Sequence, residues 1–178
     1  MRIGRSKRAQ RLPNEVVYYG QNGEDPDDIR LERMDSNGGW IATPTDLVRF
    51  AVNVGGFENA QQILNPCTIK LMTKPSAVNK ADARGWGIID DGSWTHNGSL
   101  PGTSAVIKRI RSGFCWAAIA NTRRPPEEAM NRALSNMVRD MAPTCSWLES
   151  LNSRAEQLLV CRQAGNCRGS MDSYTAVI

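Results

Sequence analysis

Histidine is almost missing from this sequence: His96 is the only one among 178 residues. The five cysteines, at 67, 115, 145, 161 and 167, are odd in number and show no ligand-like spacing. Cys161 and Cys167 come closest to a pair, and one histidine cannot complete a zinc site around them. Neither a metal nor another cofactor is expected, and the cysteines read as free thiols with Cys67 and Cys115 buried. Long apolar runs are lacking too. None approaches the roughly 18 residues that a membrane span requires, so no membrane span is expected. Met1 to Lys7 has basic residues with no apolar stretch behind them, which is not a secretory signal, and the compartment stays open. There is no internal repeat, and neither a P-loop nor a dinucleotide fingerprint occurs.

What remains is the composition of one ordinary domain with a core. Apolar residues make up 40% and charged residues 22%, and the net charge of +4 is mildly basic. Three stretches differ in character. Residues 1–13 carry Arg2, Arg5, Lys7, Arg8 and Arg11 with little apolar content, and read as a solvated, poorly ordered end. A nucleic-acid arm is the weaker reading there, because no aromatic residue interleaves to stack on bases. Residues 14–145 hold the periodic segments. Residues 146–178 hold an amphipathic segment (Trp147, Leu148, Leu151, Leu158, Leu159) and then a loose tail from 162.

Within 14–145, Val16–Tyr19 reads as a short strand and Gly20–Asp28 as a polar loop. Thr43, Pro44 and Asp46 form the N-cap, first position and third position of a helix, with Leu47, Phe50, Ala51 and Val54 as its stripe and Gly55-Gly56 as its stop. Asn65 and Pro66 repeat that grammar for a second helix with Ile69, Leu71 and Met72. Strands follow: Trp86–Asp90 and Ser93–Asn97 around Asp91-Gly92, then Ser104–Arg111 and Phe114–Asn121 around Ser112-Gly113, each joint reading as a tight two-residue turn. The last strand is apolar at every position, so both its faces should be covered. Pro126 to Pro143 reads as a helix with Met130, Ala133, Leu134, Met137, Val138 and Met141 on one side. The order of strand, two helices, four strands and helix implies an α+β protein, an antiparallel sheet packed against helices.

One stretch concentrates the chemistry. Trp94 and His96 should share a strand face, and the chain is expected to leave the strand through Gly98 and Gly102, where backbone N–H groups could meet an anion or oxyanion. The bland alternative is a His96 packed beside Trp94 with Asp90 or Asp91 nearby. Gly98-Ser99-Leu100-Pro101-Gly102 misses the nucleophile elbow by one position. Ser99, His96 and Asp91 supply the residue types of a triad but not evidence of its geometry.

Three blocks carry a resemblance: Met34-Asp35-Ser36-Asn37-Gly38-Gly39-Trp40-Ile41-Ala42-Thr43-Pro44-Thr45-Asp46-Leu47-Val48-Arg49-Phe50, Gly85-Trp86-Gly87-Ile88, and His96-Asn97-Gly98-Ser99-Leu100-Pro101-Gly102. In this order they look like the C-terminal half of the serine beta-lactamase-related family, which includes class C beta-lactamases, penicillin-binding-protein-like carboxypeptidases, D-aminopeptidases and esterases. The resemblance covers roughly residues 14–145 and implies the C-terminal part of a beta-lactamase-like (DD-peptidase-like) fold. It makes His96-Asn97-Gly98 the equivalent of the family's Lys-Thr-Gly or His-x-Gly strand and the Ser99 N–H an oxyanion donor. With a histidine in place of a lysine, the permanent cation that would hold a substrate carboxylate is missing, and the likeness tilts toward esterase or peptidase relatives.

The family's other two elements are missing. No serine is followed three places on by lysine, and no Tyr-x-Asn occurs. The catalytic set is therefore incomplete: His96, Asn97, Gly98 and Ser99 stand as active-site wall and oxyanion candidates, with no nucleophile and no base. The first reading is a fragment of a serine hydrolase, inactive alone. It would take a small ester, amide or peptide only when completed by its other half, and would self-associate or pair with a complementing chain through an exposed apolar surface. The alternative is a non-catalytic binding module or pseudoenzyme derived from that fold.

Overall fold

The computed structural model describes residues 1–34, 37–123, 128–141, 157–162 and 176–177. It begins with β1 (Arg2–Ile3) and β2 (Trp40–Ala42), which pair antiparallel. The helix expected after β2 is α1, Pro44–Val54, and its start follows from three side chains. The Asp46 N–H donates to Thr43 Oγ1 at 3.0 Å, and the Thr43 N–H donates to Asp46 Oδ2 at 3.0 Å, a reciprocal capping box ahead of Pro44. Gly56, at φ +72°, takes the left-handed conformation just past the end. α2, Pro66–Met72, starts on the Asn65 side chain, which accepts the Thr68 N–H at 2.8 Å.

A five-stranded sheet follows: β3 (Gly87–Ile88), β4 (Trp94–Leu100), β5 (Thr103–Arg109), β6 (Cys115–Ala120) and β7 (Gln157–Arg162), in that spatial order. The first four are antiparallel, and β7 runs parallel to β6. α3 (Glu128–Met141) lies between β6 and β7 in sequence, and β8 (Ala176–Val177) pairs with β2. The α+β class and the antiparallel sheet with its helices are thus as the sequence implied.

The sheet divides the core by strand alternation. Ala105, Ile107, Cys115, Ala117 and Ile119 pack with Leu47, Val48, Ala51 and Val54 of α1. On the other face Val106, Trp116, Ala118 and Ala120 pack with Leu134 and Val138 of α3. Every residue of β6 is buried, as its unbroken apolar run predicts. Burial pushes the Cys115 thiol up to about 12, against the opposing influence of nearby Arg109. The Arg109 guanidinium is itself held between the rings of Phe57 and Trp94, at 4.7 and 4.8 Å, and donates to the Gly55 carbonyl at the end of α1.

Several expectations are corrected. The basic arm is anchored rather than free. Arg2 and Ile3 are in β1, the Gly4 N–H donates to Gly39 O, and the Leu31 N–H donates to Ser6 Oγ. Arg8 and Arg11 both reach Asp27, and Arg11 also lies 4.8 Å over the Tyr18 ring. Acidic residues of the following loop supply the counter-charges. The Ser6 hydroxyl bond to Glu32 holds that carboxyl down at about 2.

Val16–Tyr19 is no sheet strand. It is an extended segment fastened to the end of β6, where the Tyr19 N–H donates to Asn121 O and Asn121 Nδ2 to Val17 O. Both turns read as two-residue joints have three-residue loops instead. The Gly92 N–H donates to Ile89 O and the Ile89 N–H to Ser93 O, and Gly113, Ile110 and Phe114 repeat the pattern. Gly92 and Gly113, at φ +81° and +113°, supply the backbone that closes each loop. Cys67 is exposed, not buried. Phe50 and Leu71 are 43% and 55% exposed, while Val48 is fully buried in their place. In α3 it is Asn131, not Ala133, that continues the buried stripe. Leu158 and Leu159 belong to β7, whereas Trp147, Leu148 and Leu151 lie outside the described residues.

Candidate functional site

β4 is the polar strand of the sheet, and its register decides what it offers. The hairpin at Pro101-Gly102 makes Leu100 and Thr103 a hydrogen-bonded pair, so Gly98–Ala105 and His96–Ile107 are bonded pairs as well. Asn97 and Ser99 then turn their N–H and C=O groups the other way, toward β3. The same parity recurs at the next hairpin, where Ile110 bonds Phe114, and at the previous one, where Ile89 bonds Ser93. β3 spans only Gly87–Ile88 and covers β4 no further than Thr95. The edge at Asn97 and Ser99 has no backbone partner among the described residues.

That edge borders a groove of about 600 Å³. Its floor is the sheet face at Ala105 and Ile107, and its walls include Trp40 from β2, Phe50 from α1 and Trp86 before β3. Arg84 and His96 stand among the lining residues, and both are exposed. The Arg84 guanidinium donates to Leu71 O at 2.8 Å, which ties this part of the rim to α2. The groove is thus an aromatic-walled cleft with Arg84 and His96 at its rim and, beside it, the Asn97 and Ser99 amides, which have no backbone partner among the described residues. Such a cleft suits a small ligand with one apolar and one oxygen-rich end.

Gly98 is the informative residue. It has an ordinary extended backbone in mid-strand, where glycine costs stability, and a Cβ added to it would meet nothing within 4 Å. The fold does not ask for glycine at this position. A strand glycine with open space above it fits a place where a ligand comes close to the backbone. Gly102 is the opposite case: at φ +78° its added Cβ would lie 2.7 Å from the Tyr18 Cβ and 2.8 Å from Pro26, so the turn demands glycine.

His96, Asn97 and Gly98 come together on the groove, whereas Ser99 does not line it and has its Oγ buried. The chain does not leave the strand at Gly98, as expected; β4 continues to Leu100 and turns at Pro101-Gly102. His96 and Ser99 are three apart in a strand and so lie on opposite faces. Asp91 sits in the loop at the far end of β4, where it accepts the Ser93 N–H at 2.7 Å. Ser99, His96 and Asp91 therefore form no triad. Nor is His96 paired with Asp90 or Asp91; its imidazole makes no hydrogen bond among the described residues.

Compared with family models, curated proteins and solved structures, the chain matches none. The site therefore rests on its own geometry. Among the described residues no cluster of three His, Cys, Asp or Glu is placed to hold a metal, and no helix is long and apolar enough to cross a membrane. Phe50, Trp40 and Arg84 were not singled out from the sequence as site residues. Trp40 and Phe50 lie in the first block quoted for the resemblance, Phe50 also on the apolar stripe expected of the helix, and Arg84 lies just outside the second block.

Proposed function

We propose that this chain supplies the sheet wall of a serine-hydrolase site of the beta-lactamase-related kind, for esters, amides or peptides. In this reading Gly98 lets the acyl group lie against β4. The Ser99 N–H, on the unpaired edge, donates to the oxygen that becomes negative, and His96 flanks the scissile bond. Trp40, Phe50 and Trp86 hold the apolar part of the substrate. The observation that carries it is Gly98: a mid-strand glycine that the fold does not require, beside a cleft of substrate size and amides that have no backbone partner among the described residues.

The chain has no Ser-x-x-Lys and no Tyr-x-Asn. Acyl transfer through serine needs a nucleophile and a base near it, so alone this wall is inactive. Phe50, at 43% exposed, and the rest of the apolar cleft are surface that a segment carrying those residues would cover. The deciding experiment reads the coding frame ahead of Met1 and expresses the longer product with ester and beta-lactam substrates. A Ser-x-x-Lys followed by Tyr-x-Asn, joined directly or by one frameshift, with turnover lost in Gly98→Val, is the expected result. Stop codons with no such motif would return the reading to a binding module.

A further inference from the structure

The face of β4 away from the groove holds a second polar feature. Ser99 and Ser104 are direct cross-strand partners in β4 and β5, and by the parity above they form a non-hydrogen-bonded pair, the kind whose side chains stand closest. Val106 of β5 lies on the sheet face that α3 covers, so Ser104, two residues away, and its cross-strand partner Ser99 lie on that face too. Ser104 is completely buried and sits opposite Ala120, the last residue of β6. The first turns of α3 reach the same end of the sheet, since Leu134 packs with Val106, Ala118 and Ala120. One turn before Leu134 on that stripe is Asn131, 7% exposed.

Ser99 Oγ, Ser104 Oγ and Asn131 Oδ1 are all buried, and none has a hydrogen-bond partner among the described residues. Leaving three buried polar oxygens unpaired would cost several times the price of one lost hydrogen bond, and native interiors rarely tolerate it. Two hydroxyls and one amide oxygen together match the bonding capacity of a water. It can donate to Asn131 Oδ1 and to one serine oxygen and accept the proton of the other serine, making the three bonds typical of buried water.

We propose that one water molecule is bound between β4, β5 and α3, held by Ser99, Ser104 and Asn131. It fixes the side chain of Ser99 from behind while the Ser99 amide faces the open edge. The site lies on the opposite face from the groove and stands whether or not the hydrolase reading does.

A crystal structure of the full chain at about 1.5 Å tests it. The expected result is one ordered, fully occupied water within about 2.7–3.0 Å of all three oxygens. Absence of that water, or the three oxygens bonding one another directly, would overturn the proposal. Ser104→Val gives a second reading, because it removes the hydroxyl and its larger branched side chain occupies the water's place: the water is lost while the circular-dichroism spectrum stays native. A folded Ser104→Val chain that keeps the water would equally overturn it. If that variant does not fold, the density in the unmodified chain decides alone.

Discussion

β6 and β4 lie in one sheet, separated only by β5, yet they are built on opposite logic. β6 is Cys115-Trp116-Ala117-Ala118-Ile119-Ala120, buried at every position between α1 and α3. β4 is Trp94-Thr95-His96-Asn97-Gly98-Ser99-Leu100, with no residue wholly buried, and beyond Thr95 its edge has no strand partner among the described residues. Small and large apolar side chains explain β6 completely as packing. Packing does not explain the polar run of β4, and still less a glycine whose replacement would touch nothing. Where a strand spends positions on residues the core does not use, the reason is to be sought in a ligand.

The largest expected effect tests the packed strand. Trp116→Ala empties the core between β6 and α3 and should cost about 3–5 kcal/mol in urea unfolding. A cost below about 1 kcal/mol would mean that α3 does not cover this face. Next comes the end of β4, where glycine is structural. Gly102→Ala must hold a non-glycine residue at positive φ and push its Cβ into Tyr18 and Pro26, for about 2–3 kcal/mol.

Thr43→Ala removes the cap of the helix that covers β6 and should cost about 1 kcal/mol. Burial raises the pKa of the Asp46 carboxyl, but the bond from the Thr43 N–H and nearby positive charges bring it, on balance, below the usual range. A carboxyl depressed in the folded state contributes stability above its ordinary pKa of about 4 and loses it as pH falls through the lowered value. An acid titration of unfolding should therefore fall less steeply in Asp46→Asn than in the parent chain.

The smallest effect on stability is expected at Gly98. Gly98→Val should leave stability within about 1 kcal/mol of the parent, or raise it, because a β-branched residue suits a strand and finds open space. A loss as large as that of Gly102→Ala would erase the distinction between the two glycines.

Much of this was legible in the sequence where physics is local. Thr43-Pro44-x-Asp46 and Asn65-Pro66 define helix starts through side-chain bonds to neighbouring amides, and both form as read. The unbroken apolar run of β6 announced two covered faces. His96, Asn97 and Gly98 could be placed at a site because they adjoin in sequence. The rest depended on distant partners. Nothing within residues 1–13 shows that Asp27 and Glu32 anchor them. Phe50 looks like core by helical spacing, and only the position of α1 over the sheet turns it into a groove wall. The parallel strand β7 joins β6 from 37 residues beyond its end, which no hairpin rule anticipates.

The most direct measurement is an NMR titration of the 15N-labelled chain with phenyl methylphosphonate, a stable tetrahedral anion carrying one aromatic ring. If β4 is a ligand wall, the amides of Asn97, Gly98 and Ser99 and the indole of Trp86 shift together and saturably, and Gly98→Val abolishes the shifts while remaining folded. Unmoved amides at Asn97 and Ser99, or the same shifts in Gly98→Val, would contradict the account.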